Sequence, residues 1–284
     1  MAIITKPFFL LGTPRSGTTL LRLMLNTHPK ITVPPECGFA LWLYNKYGGI
    51  HDFTPTMIRL YLEDLVECKK FETWNISLPE LSNIFSGMSI GNYQELVAQI
   101  YLTYGKIRGK DSLVVGDKNN YYINEMATLK MAFPDSKIIH LVRDGRDVAC
   151  SYLALLTLDS RSKYRPSLSN DLENIALQWA KQNCEASNIF HENLYLIRYE
   201  DLIERPAFEL SKICDFLGVS FSRKMLEYYK VNDEPNEFMP WKRGTLNPVY
   251  GSSIGRFRCE LSEAQRALYE NIAGTTLRLF KYDV

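Results

Sequence analysis

The sequence contains 284 residues, of which 46% are hydrophobic and 23% are charged. These proportions are ordinary for a globular protein and exclude a wholly disordered, collagen-like or low-complexity chain. The formal net charge is only +1, from 33 lysines and arginines against 32 aspartates and glutamates. A general binder of nucleic acid is far more basic, so we expect no nucleic-acid partner and a local anion site at most.

The cysteines and histidines indicate neither a zinc site nor a disulfide framework. The six cysteines include no C-x-x-C pair, and the four histidines do not cluster near them. The first apolar run, Phe8 to Leu11, is too short to cross a membrane. We therefore expect no transmembrane segment, and a reducing cytoplasm is the default location.

Short apolar runs alternate with longer helical stretches along the chain. Buried strands are expected at Phe8–Leu11, Leu113–Val115, Lys137–Val142 and Leu194–Tyr199, with Gly116–Asp117 closing the second. Helices are expected at 18–25, 55–70, 92–108, 121–132, 145–158, 171–189, 207–217 and 262–277. This alternation predicts an α/β fold in which helices cover both faces of a mostly parallel sheet. Ligands of such sheets bind beyond the carboxyl ends of the strands, and the irregular stretch 228–260 is long enough to be functional.

The turn after the first strand, G-T-P-R-S-G-T-T at residues 12–19, predicts an anion cradle. A Gly-bounded loop that opens a helix directs backbone N–H groups at one point, at the positive end of the helix dipole. Thr18 and Thr19 add hydroxyl donors, and Arg15 adds a fixed positive charge. The alternative is a tight turn whose glycines only permit close packing.

This loop differs from the nucleotide-triphosphatase motif G-x-x-x-x-G-K-[ST] at one informative position. Thr18 stands where that motif has the lysine that reaches the β- and γ-phosphates. A triphosphate with its metal is therefore poorly served, and a less charged transferring group fits better.

The end of the third predicted strand offers a second anion-binding pair. Arg143 follows the strand directly, and Ser151 lies eight residues further on, in the next helix. The two side chains can hold one phosphate together. The alternative is that Arg143 and Arg146 only pair with Asp144 and Asp147.

Together these two segments resemble the sulfotransferases that use 3′-phosphoadenosine 5′-phosphosulfate (PAPS). P-R-S-G-T-T-L-L-R at 14–22 is similar to that family's 5′-phosphosulfate loop, and V-R-D-G-R-D-V-A-C-S at 142–151 is similar to its 3′-phosphate motif. Weaker likenesses are R-Y-E-D-L at 198–202, S-S-I-G-R-F-R at 252–258, H-P at 28–29 before Glu36, and D-K-N at 117–119. The likeness is greatest to the branch with protein-tyrosine sulfotransferases and related bacterial enzymes. No matching motif lies in residues 40–110.

The resemblance implies a P-loop-like, three-layer α/β fold in a single domain, residues 1–284. It also implies PAPS as co-substrate, adenosine 3′,5′-bisphosphate (PAP) as product, and no metal. The residues that would hold the donor are Arg15, Ser16, Gly17, Thr18, Thr19, Arg143, Ser151, Tyr199, Ser253, Gly255 and Arg256.

Two positions depart from the pattern of that branch. Leu155 stands where the branch has a further basic residue, and Cys37-Gly38-Phe39 replace an arginine that follows the glutamate in the tyrosine-sulfating enzymes. The missing arginine, with the lack of a membrane anchor, weakens the case for a protein-tyrosine acceptor. Carbohydrate, phenol, steroid, peptide and polyketide acceptors stay open, as does the oligomeric state.

Sulfuryl transfer needs a base within hydrogen-bond reach of the acceptor and donors aimed at the leaving phosphate. With the resemblance, Glu36 is the candidate base; its alternative is a capping role for a helix near 38–47. His28 is a rival base, although before Pro29 it is better suited to fixing a turn. His140 lies inside a strand, where a core role is favoured.

Arg15 and Lys118 are the remaining candidate catalytic residues. Arg15, with the Thr18 and Thr19 hydroxyls, would stabilise the leaving phosphate, and Lys118 would hold the sulfonate. The alternative for Lys118 is a solvent-facing loop lysine, and Tyr199 lines the adenine site or packs in the core.

Aromatic residues outside these motifs have open roles. Trp42, Tyr44 and Tyr47 are core or acceptor-pocket residues, and the Tyr228-Tyr229 and Trp241 region is a candidate lid over the donor. Two rival functions are a nucleotide or small-molecule kinase and a non-catalytic nucleotide-binding module.

Overall fold

The computed structural model describes residues 6–157, 162–190, 192–248 and 251–284. A five-stranded sheet with the order β2-β5-β1-β6-β7 lies at its centre, and every pairing in it is parallel. Its strands, numbered along the whole chain, are β1 Phe8–Leu11, β2 Ile31–Thr32, β5 Val114–Lys118, β6 Ile138–Val142 and β7 Leu194–Arg198. A separate antiparallel ribbon pairs β3 (His51–Phe53) with β4 (Ile90–Asn92).

Helices connect the strands and cover the sheet. They are α1 Thr18–Thr27, α2 Phe39–Trp42, α3 Tyr44–Tyr47, α4 Pro55–Val66, α5 Leu78–Phe85, α6 Tyr93–Ile107, α7 Met126–Ala132, α8 Gly145–Leu156, α9 Leu172–Ile189, α10 Tyr199–Glu204, α11 Pro206–Leu217, α12 Phe257–Glu260 and α13 Glu263–Leu279. Several begin at the side-chain caps that their sequences encode: Asp144 accepts from the Arg146 amide, and Ser262 forms a capping box with Gln265.

The central strand β1 separates two hydrophobic cores. All four of its residues are buried, and successive side chains alternate between the faces of the sheet. Phe9 and Leu11 belong to one cluster, whereas Phe8 and Leu10 belong to the other. Helices therefore cover both faces, which confirms the predicted α/β architecture.

The four predicted strands are all present, but the predicted end of the second is wrong. The strand continues through Gly116 and Asp117 and ends at Lys118. Gly116 packs flat against Phe8, where a Cβ atom would lie 2.4 Å from the ring. The hydroxyl of Tyr101 donates to the Asp117 carboxylate at 2.6 Å, so a buried acid is satisfied inside the strand.

The sequence analysis missed β2, both strands of the ribbon and helix α5. The stretch expected to be irregular, 228–260, contains all or part of four 3₁₀ segments, followed by α12. The segments are Arg223–Val231, Asn236–Trp241, Arg243–Leu246 and Gly251–Ser253. Val249 and Tyr250 lie outside the described residues. Across the described ranges, none of the helices combines the length and apolarity that a membrane span requires.

Candidate active site

The loop predicted to cradle an anion, residues 12–19, runs from the carboxyl end of β1 into the start of α1, and we name it the donor loop after the ligand that the resemblance implies. Gly17, the residue before the helix, has a φ of 98°, and its missing side chain leaves room for the Tyr199 ring: a Cβ there would lie 2.5 Å from Cδ2. Arg15 also adopts the left-handed region, with a φ of 70°. Since few side chains tolerate that conformation, the loop is shaped by tertiary contacts rather than by local preference.

The hydroxyl groups of this loop have different roles. Thr18 donates to Asn120 Oδ1 at 3.0 Å, and Thr19 Oγ1 accepts from Lys118 Nζ at 3.2 Å. The Ser16 hydroxyl lies 2.6 Å from that of Thr13, and Ser16 is absent from the described residues that line the main cavity. Only the backbone of Ser16 is therefore placed to serve a ligand.

Two guanidinium groups meet beside the loop. Arg15 Nε donates to Ser151 Oγ at 3.0 Å, and its Nη1 donates to the Trp241 carbonyl at 2.9 Å. Arg143 donates to the carbonyl oxygens of Arg15 (3.0 Å) and Ser253. Burial, with the charge of Arg143 close by, lowers the pKa of Arg15 to about 10. The cluster is thus a region of positive potential that favours an anion.

The ion pairs expected as an alternative for Arg143 form on Arg146 instead. Arg146 Nη2 lies 2.8 Å from Asp144 Oδ2, and its Nη1 lies 2.6 Å from Glu270 Oε1. Among the described residues Arg143 forms no ion pair, and its buried Nε has no hydrogen-bond partner. Arg143 is therefore the arginine left available to a ligand.

The loop 251–256 packs against Arg143 and Tyr199. The Tyr199 hydroxyl lies 2.7 Å from Ser253 Oγ, and the Arg143 guanidinium lies 4.8 Å from the centre of the Tyr199 ring. Asp147 anchors the loop by accepting from the Gly255 amide at 2.7 Å. Gly255 is not among the described cavity-lining residues, whereas Arg256 lines the cavity beside Ser253.

Glu36 lies deep in the cavity, and only 7% of its surface is exposed. Its Oε1 accepts from Lys118 and its Oε2 from Lys70, the latter at 2.7 Å. Helix α2 begins at Phe39 with Gly38 as its cap, so Glu36 caps no helix. Burial alone would raise the pKa of Glu36, but the ammonium groups of Lys118, Lys242 and Lys70 hold that pKa well below its ordinary value.

Lys118 joins Glu36 to the donor loop. It is the last residue of β5, its side chain is fully buried, and it contacts Glu36 and Thr19. Burial lowers the pKa of Lys118 to about 8, although Glu36 opposes the shift. Lys118 is therefore no solvent-facing loop lysine.

Two further lysines were missed by the sequence analysis. Lys70 comes from the region without family motifs, and Lys242 lies between the 3₁₀ segments Asn236–Trp241 and Arg243–Leu246. Lys242 Nζ lies 2.7 Å from Glu234 Oε2. The local sequence does not distinguish Lys70 from its neighbour Lys69. What distinguishes Lys70 is its tertiary contact with Glu36.

The two histidines weighed as candidates, His28 and His140, have structural partners. His28 accepts from the Lys30 amide at 3.0 Å, and its other ring nitrogen lies 2.8 Å from the Ser220 carbonyl, which fixes the turn after α1. His140 is fully buried against Asn183, and burial lowers its pKa to about 4.

The remaining aromatic candidates divide between core and cavity. Tyr47 is buried in the core, while Trp42 is 37% exposed. Trp42, Tyr44 and Tyr47 are all absent from the described residues that line the cavity. Tyr228 and Trp241 do line the cavity, as expected of a lid, although Tyr229 is not among its described lining residues.

The cavity has a volume of about 510 Å³. Among the described residues that line it, five side chains are cationic and one is a carboxylate: Arg15, Lys70, Arg143, Lys242 and Arg256, with Glu36. Among the described residues, no group of three or more histidine, cysteine, aspartate or glutamate side chains is arranged to hold a metal ion. Fold and site together define a P-loop-like α/β protein with a cleft lined mainly by cationic side chains at the carboxyl ends of its strands.

Comparison with known proteins assigns this class to a family. A family model described as "Sulfotransferase family" matches residues 7–223, so the chain belongs to the sulfotransferase family. This confirms the resemblance seen in the sequence and supports sulfuryl transfer in general.

Relatives and solved structures agree with that assignment. The chain is 26% identical to protein-tyrosine sulfotransferase A of Caenorhabditis elegans over 79% of its length, and 25% identical to the Drosophila melanogaster enzyme over 80%. It spans about half or less of these relatives, 53% and 41% of their lengths. The sulfotransferase domain from the curacin biosynthetic pathway shares the fold, with a TM-score of 0.65, 20% identity and 100% of both chains covered.

Proposed function

We propose that this protein transfers the sulfuryl group of PAPS to a hydroxyl or amine of an acceptor, with Glu36 as the general base. One observation carries the proposal: Lys118 contacts both the buried carboxylate of Glu36 and Thr19 of the donor loop. Base and donor site are thereby joined through a single ammonium. A mouse sulfotransferase solved in complex with PAP, with a TM-score of 0.51 and 16% identity, shares the fold.

The donor would lie along the cationic side of the cavity. The amides of the loop 15–19 and the start of α1 suit the 5′-phosphosulfate. Arg143 and Ser151 suit the 3′-phosphate, and Tyr199 offers a ring face near them. Arg15 lies between the two phosphate positions, and its contacts with Ser151 and Trp241 are ones it can exchange for donor oxygens.

In the reaction, the acceptor O–H proton passes to Glu36 while the acceptor oxygen bonds to sulfur. The bond from sulfur to the bridging oxygen breaks, and its electron pair stays on the 5′-phosphate of PAP. Loop amides and Arg15 stabilise that growing charge, and Lys118 holds the sulfonate oxygens. In-line attack requires the acceptor on the side of Glu36, where Tyr164 and Phe238 pack edge to face at 5.4 Å.

The low pKa of Glu36 is a property of the site without donor. A carboxylate with so low a pKa is a weak base. When Lys118 turns part of its charge to the donor sulfonate, Glu36 becomes more basic. Base strength would then depend on donor binding, which limits proton abstraction to the loaded enzyme.

The test combines donor labelling with a charge-neutral variant. Purified protein is incubated with labelled PAPS and acceptors of each open class, glycan and peptide included, and products are analysed for the added sulfonate. We expect transfer by the wild type, and a loss of about 10²- to 10⁴-fold in turnover for Glu36→Gln, the usual value of a general base, with PAP affinity kept. Glu67→Gln, on an exposed residue, is the matched control.

Three outcomes would contradict the proposal. Unchanged turnover of Glu36→Gln would remove Glu36 as the base. Stabilisation of the protein by ATP with magnesium, but not by PAP, would favour the kinase. PAP binding without transfer to any acceptor would favour a binding module.

A further inference from the structure

The segment that carries Glu36 is joined to the turn after α4 by successive contacts. Trp74 Nε1 donates to the Pro35 carbonyl at 3.0 Å, and Cys37 Sγ donates to the Lys69 carbonyl at 3.6 Å. Between them lies the ion pair of Glu36. Residues on both sides of the carboxylate are therefore held to the same turn.

Lys70, in this turn, has a backbone that favours its contact with the base. Its φ is 76°, a conformation that lysine rarely adopts, and the Thr73 hydroxyl donates to its carbonyl at 2.7 Å. The turn directs its ammonium to Glu36 Oε2, 2.7 Å away, and onto the Phe238 ring, 5.2 Å from its centre. A strained residue at a site, over-determined by its neighbours, is a mark of function.

The charges around the base are not all equivalent. The charged groups that face Glu36 or lie directly behind its partners are Lys118 and Asp117 of β5, Lys70, and Lys242 with Glu234. Lys242 is paired with Glu234 at 2.7 Å, and Lys118 also contacts the donor loop. Lys70 is thus the ammonium that contacts the Oε2 oxygen of Glu36, whereas Lys118 contacts Oε1 and the donor loop.

We propose that Lys70 is a positioning residue for the base: it fixes the Oε2 oxygen of Glu36 in the acceptor half of the cavity and keeps the carboxylate ionised when Lys118 turns to the donor. This rests on the proposed function. A carboxylate has about four lone-pair sites. Two are used by the lysines, so an acceptor hydroxyl can still donate to Glu36.

The first test measures the charge state of Glu36 without any turnover. Protein labelled with ¹³C at glutamate Cδ is titrated by NMR, and Glu36→Gln identifies the Glu36 signal. Because an opposite charge nearby lowers a carboxyl pKa, its removal in Lys70→Met is expected to raise the Glu36 midpoint by about 1–2 pH units. Lys69→Met, an exposed neighbour, should titrate as the wild type.

The second test measures the rate of sulfuryl transfer, whereas the first reports only the charge state of Glu36. In Lys70→Met the acid limb of the kcat–pH profile should move to higher pH with PAP affinity unchanged, and Lys70→Arg should return the limb to its wild-type position. If Lys70→Met does not give a cooperative thermal transition, Lys70→Gln replaces it, since glutamine can still donate to Glu36 but carries no charge.

The outcomes separate the two proposals. A Glu36 signal that titrates identically in wild type and Lys70 variants overturns the role of Lys70, as does an unmoved acid limb. A shifted titration in a protein that transfers sulfonate to no acceptor leaves the electrostatic role of Lys70 intact and contradicts the sulfotransferase function instead.

Discussion

At the scale of single residues, most buried charges in the site are paired with an opposite charge, as Glu36 is with Lys118 and Lys70. Arg143 differs, because its guanidinium donates only to backbone carbonyl oxygens, and its Nε has no partner among the described residues. A buried arginine with spare donors is costly unless a ligand or water uses them. Arg143 is thus the residue whose deletion should report most directly on the donor.

Arg143→Ala should weaken PAP binding by about 1.5–3 kcal/mol, the usual worth of a charged hydrogen bond. Calorimetric titration with PAP measures the effect. Adenosine 5′-monophosphate, which differs from PAP only by the missing 3′-phosphate, is the matched ligand, and its affinity should change little. Equal losses for both nucleotides would place the 3′-phosphate elsewhere.

At the scale of elements, the donor loop depends on one close approach between β1–α1 and α10. Gly17 has a positive φ, and the Tyr199 ring occupies the space of its missing Cβ. The motif indicated an anion loop from residue types alone. It did not reveal that Tyr199, nearly two hundred residues away, requires the glycine.

Gly17→Ala should therefore both strain the backbone and displace the Tyr199 ring. We expect a loss of about 1–3 kcal/mol in stability from the left-handed conformation, with an additional loss of PAP affinity. Urea unfolding and PAP titration measure the two effects.

Gly87→Ala is the matched control, because Gly87 has a φ of 77° and open space around its missing Cβ. It should lose stability through backbone strain and keep PAP affinity. If both variants bound PAP as the wild type does, the contact between loop and ring would have no part in donor binding.

At the scale of the whole molecule, a buried charge network ties the late segment to α1. Arg22, with no exposed side-chain surface, lies 2.7 Å from Glu234 Oε1 and 2.8 Å from Asp233 Oδ1. Glu234 also forms an ion pair with Lys242, which lines the cavity. The segment that carries Trp241 and Lys242 is thus fixed to the helix that carries the donor loop.

Glu234→Gln should destabilise the protein by about 3–5 kcal/mol, since it leaves the buried charges of Arg22 and Lys242 without their shared partner. Because Lys242 would lose its ion pair with Glu234, the affinity of the cavity for PAP should also fall. Urea unfolding measures stability, and PAP titration measures the site.

The control is Glu227→Gln, which breaks the exposed pair of Glu227 with Lys230 nearby. Exposed pairs contribute under about 1 kcal/mol, so this variant should unfold almost as the wild type does. Comparable losses in the two variants would show that the network contributes no more than surface charge.

The sequence by itself determined the α/β fold, and it predicted an anion loop before α1 and a ligand-binding arginine at a strand end. These follow from local patterns: apolar runs that must be buried, glycines at the start of a helix, and charged residues where strands end. It also singled out Glu36 and Lys118, through resemblance rather than through any local rule.

Only the tertiary structure decided what surrounds those residues. The partners of Glu36 include Lys70, 34 positions away, and those of Arg22 include Asp233, 211 positions away. Whether a lysine is an exposed charge or a second cation on a buried carboxylate depends on which distant segments pack together. Local sequence carries no trace of that choice, because the charge of a side chain is encoded in its residue but its neighbours are set by the fold.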